Sequence, residues 1–341
     1  MALLPIYVSY EFLEELAMSK IDLLDVSSIN ANISKLEIIK LIMNNAFVNI
    51  DMTKEEVVDL LNKKNHNLIL NYIITVKGTR LVNYCKDEFK KINKEEFHNI
   101  NKSAFAQFFL SSNFYSNLAN EIEAAGGHLI HTLKKIDSYT RINKLNIEVF
   151  NKSQSIDWSF LKNYSVPHHS IIIVDPYLLS DKPKHIVQLV KNFVGEKLDC
   201  KYFITLFFRD KDHSVHKNLS DKCEQIVKQR IEWLKNELAK EIIRVQIELE
   251  WVIYNKNDFH DRYIITNNFM VYTGNSLSWI NEKNDNASNQ TNWIVINNAH
   301  STDSGKSHFH QVSKYIESLK KWEKNKESYS TKIINNPIFN T

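Results

Sequence analysis

Phe259–His260–Asp261–Arg262–Tyr263–Ile264–Ile265–Thr266–Asn267–Asn268–Phe269–Met270–Val271–Tyr272–Thr273–Gly274–Asn275–Ser276 is the stretch that decides how the chain is read. Two apolar runs, Tyr263–Ile265 and Met270–Tyr272, flank Asn267–Asn268, a pair suited to a tight turn, so the stretch predicts a β-hairpin. His260 and Arg262 stand two apart at the start of the first strand and share a face, while Asp261 points away. The second strand ends at Gly274, where chain and ligand can approach closely. A histidine beside a guanidinium, closed off by glycine and polar side chains, can receive a phosphate-like anion. Arg262 would supply paired donors, and Asn275 and Ser276 would add more. An unprotonated His260 could attack phosphorus.

The sequence around the hairpin predicts a mixed sheet. Ile171–Ile172–Ile173–Val174 followed by Asp175–Pro176–Tyr177 is a buried strand feeding a loop. A helix is expected from Lys182 to Phe193, and a strand from Lys201 to Phe208 ended by Arg209–Asp210–Lys211–Asp212. Asp221–Ile242 is a long amphipathic helix, Val245–Tyr254 and Trp293–Ile296 are strands, and Gln311–Trp322 is a helix. Asn281–Asn292 is a polar loop. Alternating strands and helices define an α/β sandwich with a mixed sheet. Asp175 ends a core strand on the edge where such sheets bind ligands, which makes it a supporting site residue; Asp210 follows the same logic.

The hairpin resembles the catalytic motif of the phospholipase D superfamily: His-x-Lys, four residues, Asp, six residues, then Gly-Ser, two residues, Asn. His260 takes the histidine position, Arg262 the lysine, Asn267 the aspartate and Gly274 the glycine, with the intervals kept; Asn275 stands at the serine and Ser278 at the asparagine. The resemblance covers roughly residues 155–320. It implies an α/β/α sandwich, a histidine nucleophile, a second histidine as acid and cationic side chains on the phosphate. Arginine keeps the charge but changes the geometry, and Asn267 loses the supporting carboxylate. Active members need two motifs, from a duplication or a dimer, and one is visible here. A divergent branch of these domains, in membrane-associated eukaryotic and in bacterial proteins, often lacks the residues for hydrolysis.

The remainder yields an organisation. Residues 1–150 read as a mostly helical domain of unassigned role, 151–323 as the phospholipase D-like domain and 324–341 as a tail. Thr53 and Glu56 form a capping box ahead of Val57, Val58, Leu60 and Leu61. Leu36–Ala46 reads as a helix and Leu68–Val76 as a strand. Ser103–Glu123 reads as a helix with Phe105, Phe108, Phe109 and Phe114 as core, ended by Gly126–Gly127.

Composition sets limits. Six glycines in 341 residues leave little room for phosphate loops, and neither dinucleotide-binding nor P-loop patterns occur. Asparagine, at 39, is so abundant that its presence in a motif carries little weight. Residues 1–150 hold 17 basic and 18 acidic side chains, the rest 26 and 22, so the second part is mildly basic and compatible with an anion. Cys85, Cys200 and Cys223 read as thiols of a reducing compartment. No signal peptide or transmembrane segment is read, which makes a cytoplasmic protein the expectation. His168 and His169 could supply a second imidazole, although loop histidines at a strand start are common. His308 and His310 would share a face only on a strand, a weak metal signal, and no metal or cofactor is expected. The expected function is binding or sensing of a phosphodiester, nucleic acid foremost, in a setting such as prokaryotic antiviral defence. The alternatives are a homodimeric phosphodiesterase or nuclease using His260, and a non-catalytic module for a protein or membrane headgroup. A protein partner would use residues 1–150.

Overall fold

The computed structural model describes residues 3–22, 24, 27–63, 67–77, 81–115, 118–136, 146–150, 158–164, 166–179, 183–194, 198–209, 220–254, 262–273, 292–298, 308–326 and 330–340. Two units form: residues 1–144 with 298–313, and residues 145–297 with 314–341.

The first unit is α/β. Its strands are β1 (Leu4–Val8), β2 (Ala46–Ile50), β3 (Val82–Tyr84), β4 (Gln107–Phe109) and β5 (Ile130–His131), in the order β3-β2-β1-β4-β5. All are parallel. Helices α1 (Tyr10–Met18), α2 (Ile29–Lys40), α3 (Lys54–Asn62), α4 (Leu68–Tyr72), α5 (Lys86–Phe89), α6 (Ser112–Tyr115) and α7 (Ala119–Gly126) connect them. Helices are numerous, as expected, but the organising element is a sheet that the sequence reading passed over. Its core includes Tyr7, Phe89, Phe97, Phe108, Ile122 and Ile130. Tyr7 stacks on Phe108 at 4.7 Å between ring centroids.

Local chemistry explains the agreements and differences. Thr53 caps α3 with Glu56 in the expected capping box. Leu68–Val76 is helical, not a strand. Asn67 accepts from the Ile69 and Leu70 amides at 3.1 and 3.0 Å and so starts α4. Ile69, Leu70 and Ile73 are buried while Leu68 and Val76 are exposed, a helical rather than an alternating pattern. Within Ser103–Glu123, Gln107–Phe109 is a strand instead of helix. All three residues are buried, as befits a central parallel strand covered on both faces. The Gly126–Gly127 stop is as expected: Gly127 takes the left-handed conformation (φ 59) and donates to Glu123 at 2.8 Å.

The second unit holds β6 (Asn146–Phe150), β7 (Ser170–Val174), β8 (Tyr202–Phe208), β9 (Ile247–Ile253), β10 (Arg262–Thr266), β11 (Phe269–Thr273) and β12 (Asn292–Asn298), ordered β6-β12-β11-β10-β7-β8-β9. β7, β8 and β9 are parallel, and β10 runs antiparallel to both β7 and β11. The sheet is mixed, and the hairpin is present in the expected place. Helices α8 (Lys184–Phe193), α9 (Ser220–Glu241) and α10 (His308–Lys324) also match the sequence reading.

The last residues, read as a tail, include a segment docked against β9. Thr331 donates its amide to the Trp251 carbonyl at 2.9 Å, and Ser330 Oγ accepts from Ile253. Asn336, fully buried, donates to the Ile171 carbonyl and Thr205 Oγ1. This strap covers backbone groups that an edge strand would otherwise expose.

Candidate anion site

Parallel strands β7, β8 and β9 deliver their carboxyl ends to one edge of the sheet, and antiparallel β10 begins there. Asp175 leaves β7 fully buried. Its amide donates to the Phe207 carbonyl at 3.0 Å, and its Oδ1 accepts from the Tyr177 amide at 2.8 Å. That local turn holds the carboxylate and aims the Tyr177 ring. Because Tyr263 pairs with Val174 in an antiparallel register, Arg262 comes level with Asp175. The Arg262 guanidinium carbon lies 5.6 Å from the Tyr177 ring centroid, a cation–π distance that orients the guanidinium.

Two further residues complete the edge. Arg209 follows β8 and donates its amide to the Pro176 carbonyl at 3.3 Å. Tyr254 follows β9 and donates its amide to the Phe208 carbonyl at 3.2 Å; its ring stacks on Trp322 at 5.2 Å. The Tyr254 hydroxyl is pushed well above its ordinary range, chiefly by burial and then by the Asp175 carboxylate, while Arg209 and Arg262 pull it down. All three charged groups therefore act on one buried phenol. Neither Arg209 nor Tyr254 was singled out from the sequence. Both close apolar strands on the same edge as Asp175, which was the signal available.

Arg262 and Asp175 are thus brought together. His260, Gly274, Asn275, Ser276 and Ser278 lie outside the described residues, as does Asp210. Asn267 sits at the other end of β10, five residues from Arg262, or about 16 Å along an extended strand. There it is buried, and its Oδ1 accepts from the His169 and Ser170 amides at 3.2 and 3.0 Å. Its Nδ2 lies 3.2 Å from His169 Nδ1. Asn267 pins the hairpin turn to the start of β7.

His168 and His169 occupy that far edge as well. His168 Nδ1 is 2.8 Å from the Val166 carbonyl and must donate to it, which leaves Nε2 to accept from the Tyr202 hydroxyl at 2.7 Å. Burial lowers its pKa to about 4, so it is neutral and structural. His310 lies on α10 with His308, so the two do not share a strand face. Among the described residues no cluster suited to a metal is found.

Two other places invite a ligand by their position. A cleft of about 710 Å³ in the second unit is lined by Lys162, Lys191, Arg244, Glu241, Leu198 and Ile243, among others. It lies at the opposite sheet edge, where α8 and α9 end. Its cations offset the negative helix termini, and Lys191 is paired with Glu241 at 2.6 Å. In the first unit, the crevice between β1 and β4 is the usual ligand position of such a sheet. At the ends of these two strands the Glu15 carboxylate accepts from Ser111 Oγ at 2.7 Å and the Ser112 amide at 3.0 Å, so donors that could meet an anion are engaged within the unit.

No protein-family model and no curated protein sequence matches the chain. Among solved structures it is similar to TrmBL2, an archaeal chromatin protein described as showing a novel mode of DNA binding (16% identity, 53% of each chain, TM-score 0.25). It is also similar to a phosphatidylserine synthase from Haemophilus influenzae (12% identity, 56% of this chain and 45% of that one, TM-score 0.32). The chain therefore spans about half the length of each. Likenesses this shallow do not bear on function. Among the described residues no helix is long and apolar enough to cross a membrane.

Proposed function

We propose that the second unit is a phospholipase D-like domain that binds a phosphodiester, nucleic acid foremost, at the strand-end edge carrying Arg262. The observation that carries this reading is the placement of Arg262 over Tyr177 and level with Asp175, two residues after His260 in a spacing that resembles the superfamily motif. Arg262 would hold the phosphate through paired donors, and Asp175 with Tyr177 would hold Arg262. Binding rather than hydrolysis is the reading taken, because His168 and His169, the pair that could have supplied a second imidazole, stand at the far edge of the sheet among the described residues. In a homodimer hydrolysing its ligand through His260, another chain would supply that imidazole.

The test is anisotropy of a labelled single-stranded oligonucleotide with the wild-type chain, Arg262→Ala and His260→Ala. Loss of a charge-assisted bidentate contact, about 1.5–3 kcal/mol, should weaken Arg262→Ala by roughly ten- to a hundredfold. His260→Ala should bind nearly as wild type. Unchanged affinity in Arg262→Ala would refute the site. Hydrolysis of the oligonucleotide by wild type and its loss in His260→Ala would establish the enzymatic reading instead.

A further inference from the structure

Arg262 is not the only guanidinium at this edge. In the order β10-β7-β8-β9, Arg262 opens β10 and Arg209 closes β8, with the end of β7 between them. Adjacent strands lie about 4.8 Å apart, so the two backbones are separated by roughly 10 Å, a gap two arginine side chains can span toward one phosphate. The turn after β7 ties them to a common frame. Pro176 accepts the Arg209 amide at 3.3 Å, and the next residue, Tyr177, carries the Arg262 guanidinium over its ring at 5.6 Å. Both cations also act on the Tyr254 hydroxyl from one side of the charge balance, with Asp175 on the other.

We infer that Arg209 is a second ligand-contacting residue, which with Arg262 grips one phosphodiester from two strands across the end of β7. This rests on the phosphodiester reading above. Two guanidiniums at one strand-end edge suit an anionic ligand such as a phosphodiester.

The experiment measures oligonucleotide affinity of the full chain from low to moderate salt for wild type, Arg209→Ala, Arg209→Lys, Arg262→Ala and the double alanine variant. Each phosphate neutralised on a single strand contributes about 0.7 units of salt slope. Arg209→Ala should bind about tenfold more weakly while the slope falls by less than that, because Arg262 still faces the shared phosphate. Arg209→Lys should recover only part of the affinity. The double variant should lose less than the product of the single losses, because both grip one group. Wild-type-like affinity in Arg209→Ala, with Arg262→Ala impaired, would overturn this inference alone. If wild type fails to bind, the phosphodiester reading falls, and the two-arginine grip with it. Thermal melting of each variant separates a lost contact from a lost fold.

Discussion

Asn267 fits the motif spacing by number and serves the molecule in another way. Its carbonyl oxygen satisfies two amides at the start of β7, and its amide faces His169 Nδ1. Replacing it by alanine removes the acceptor for two buried or half-buried amides, so Asn267→Ala should cost about 1–3 kcal/mol in urea unfolding while leaving oligonucleotide affinity unchanged in the folded protein. Loss of binding without loss of stability would place Asn267 in the site. The same residues show what the sequence could and could not reveal. Arg262 was legible because it stands two from His260 at a strand start, and Asp175 because Asp-Pro ends an apolar run. Arg209 was passed over because it follows an apolar strand without any local pattern. The structural role of Asn267 depends on strand register, which its neighbours in sequence do not encode.

At the level of elements, the hairpin and the long helices were legible because each repeats a clear period over many residues. The first sheet was not. Its strands run from five residues down to two, and central ones are buried on both faces, so no alternation marks them. The loops at its carboxyl edge carry a testable electrostatic feature. Asp51 follows β2, and its Oδ1 accepts from the Tyr10 amide at 2.6 Å at the start of α1. Burial raises its pKa to about 6 from 3.8, only partly opposed by that hydrogen bond. The folded state therefore holds the Asp51 proton to higher pH than the unfolded chain. The resulting stabilisation is complete below about pH 4 and is lost as pH rises through about 6. Asp51→Asn keeps an acceptor for Tyr10 and does not titrate. Its stability relative to wild type should grow between pH 4 and pH 7, by about 1–3 kcal/mol. A difference independent of pH would show that Asp51 is not held protonated.

At the scale of the whole molecule, the two α/β units present different strand-end edges. In the first, Glu15 engages Ser111 Oγ and the Ser112 amide. In the second, strand ends assemble Arg262, Arg209, Asp175, Tyr177 and Tyr254 around one edge. The scarcity of glycine agrees with this division, since neither edge is built as a glycine-rich phosphate loop. Photo-crosslinking locates the ligand most directly. With a single-stranded oligonucleotide bearing a photoreactive base, attachment in this chain should map to the segments around Tyr177 and around Tyr254 and Arg262, and should disappear in Arg262→Ala. Crosslinks confined to the first unit, or to Lys191 and Arg244 at the opposite sheet edge, would contradict the account.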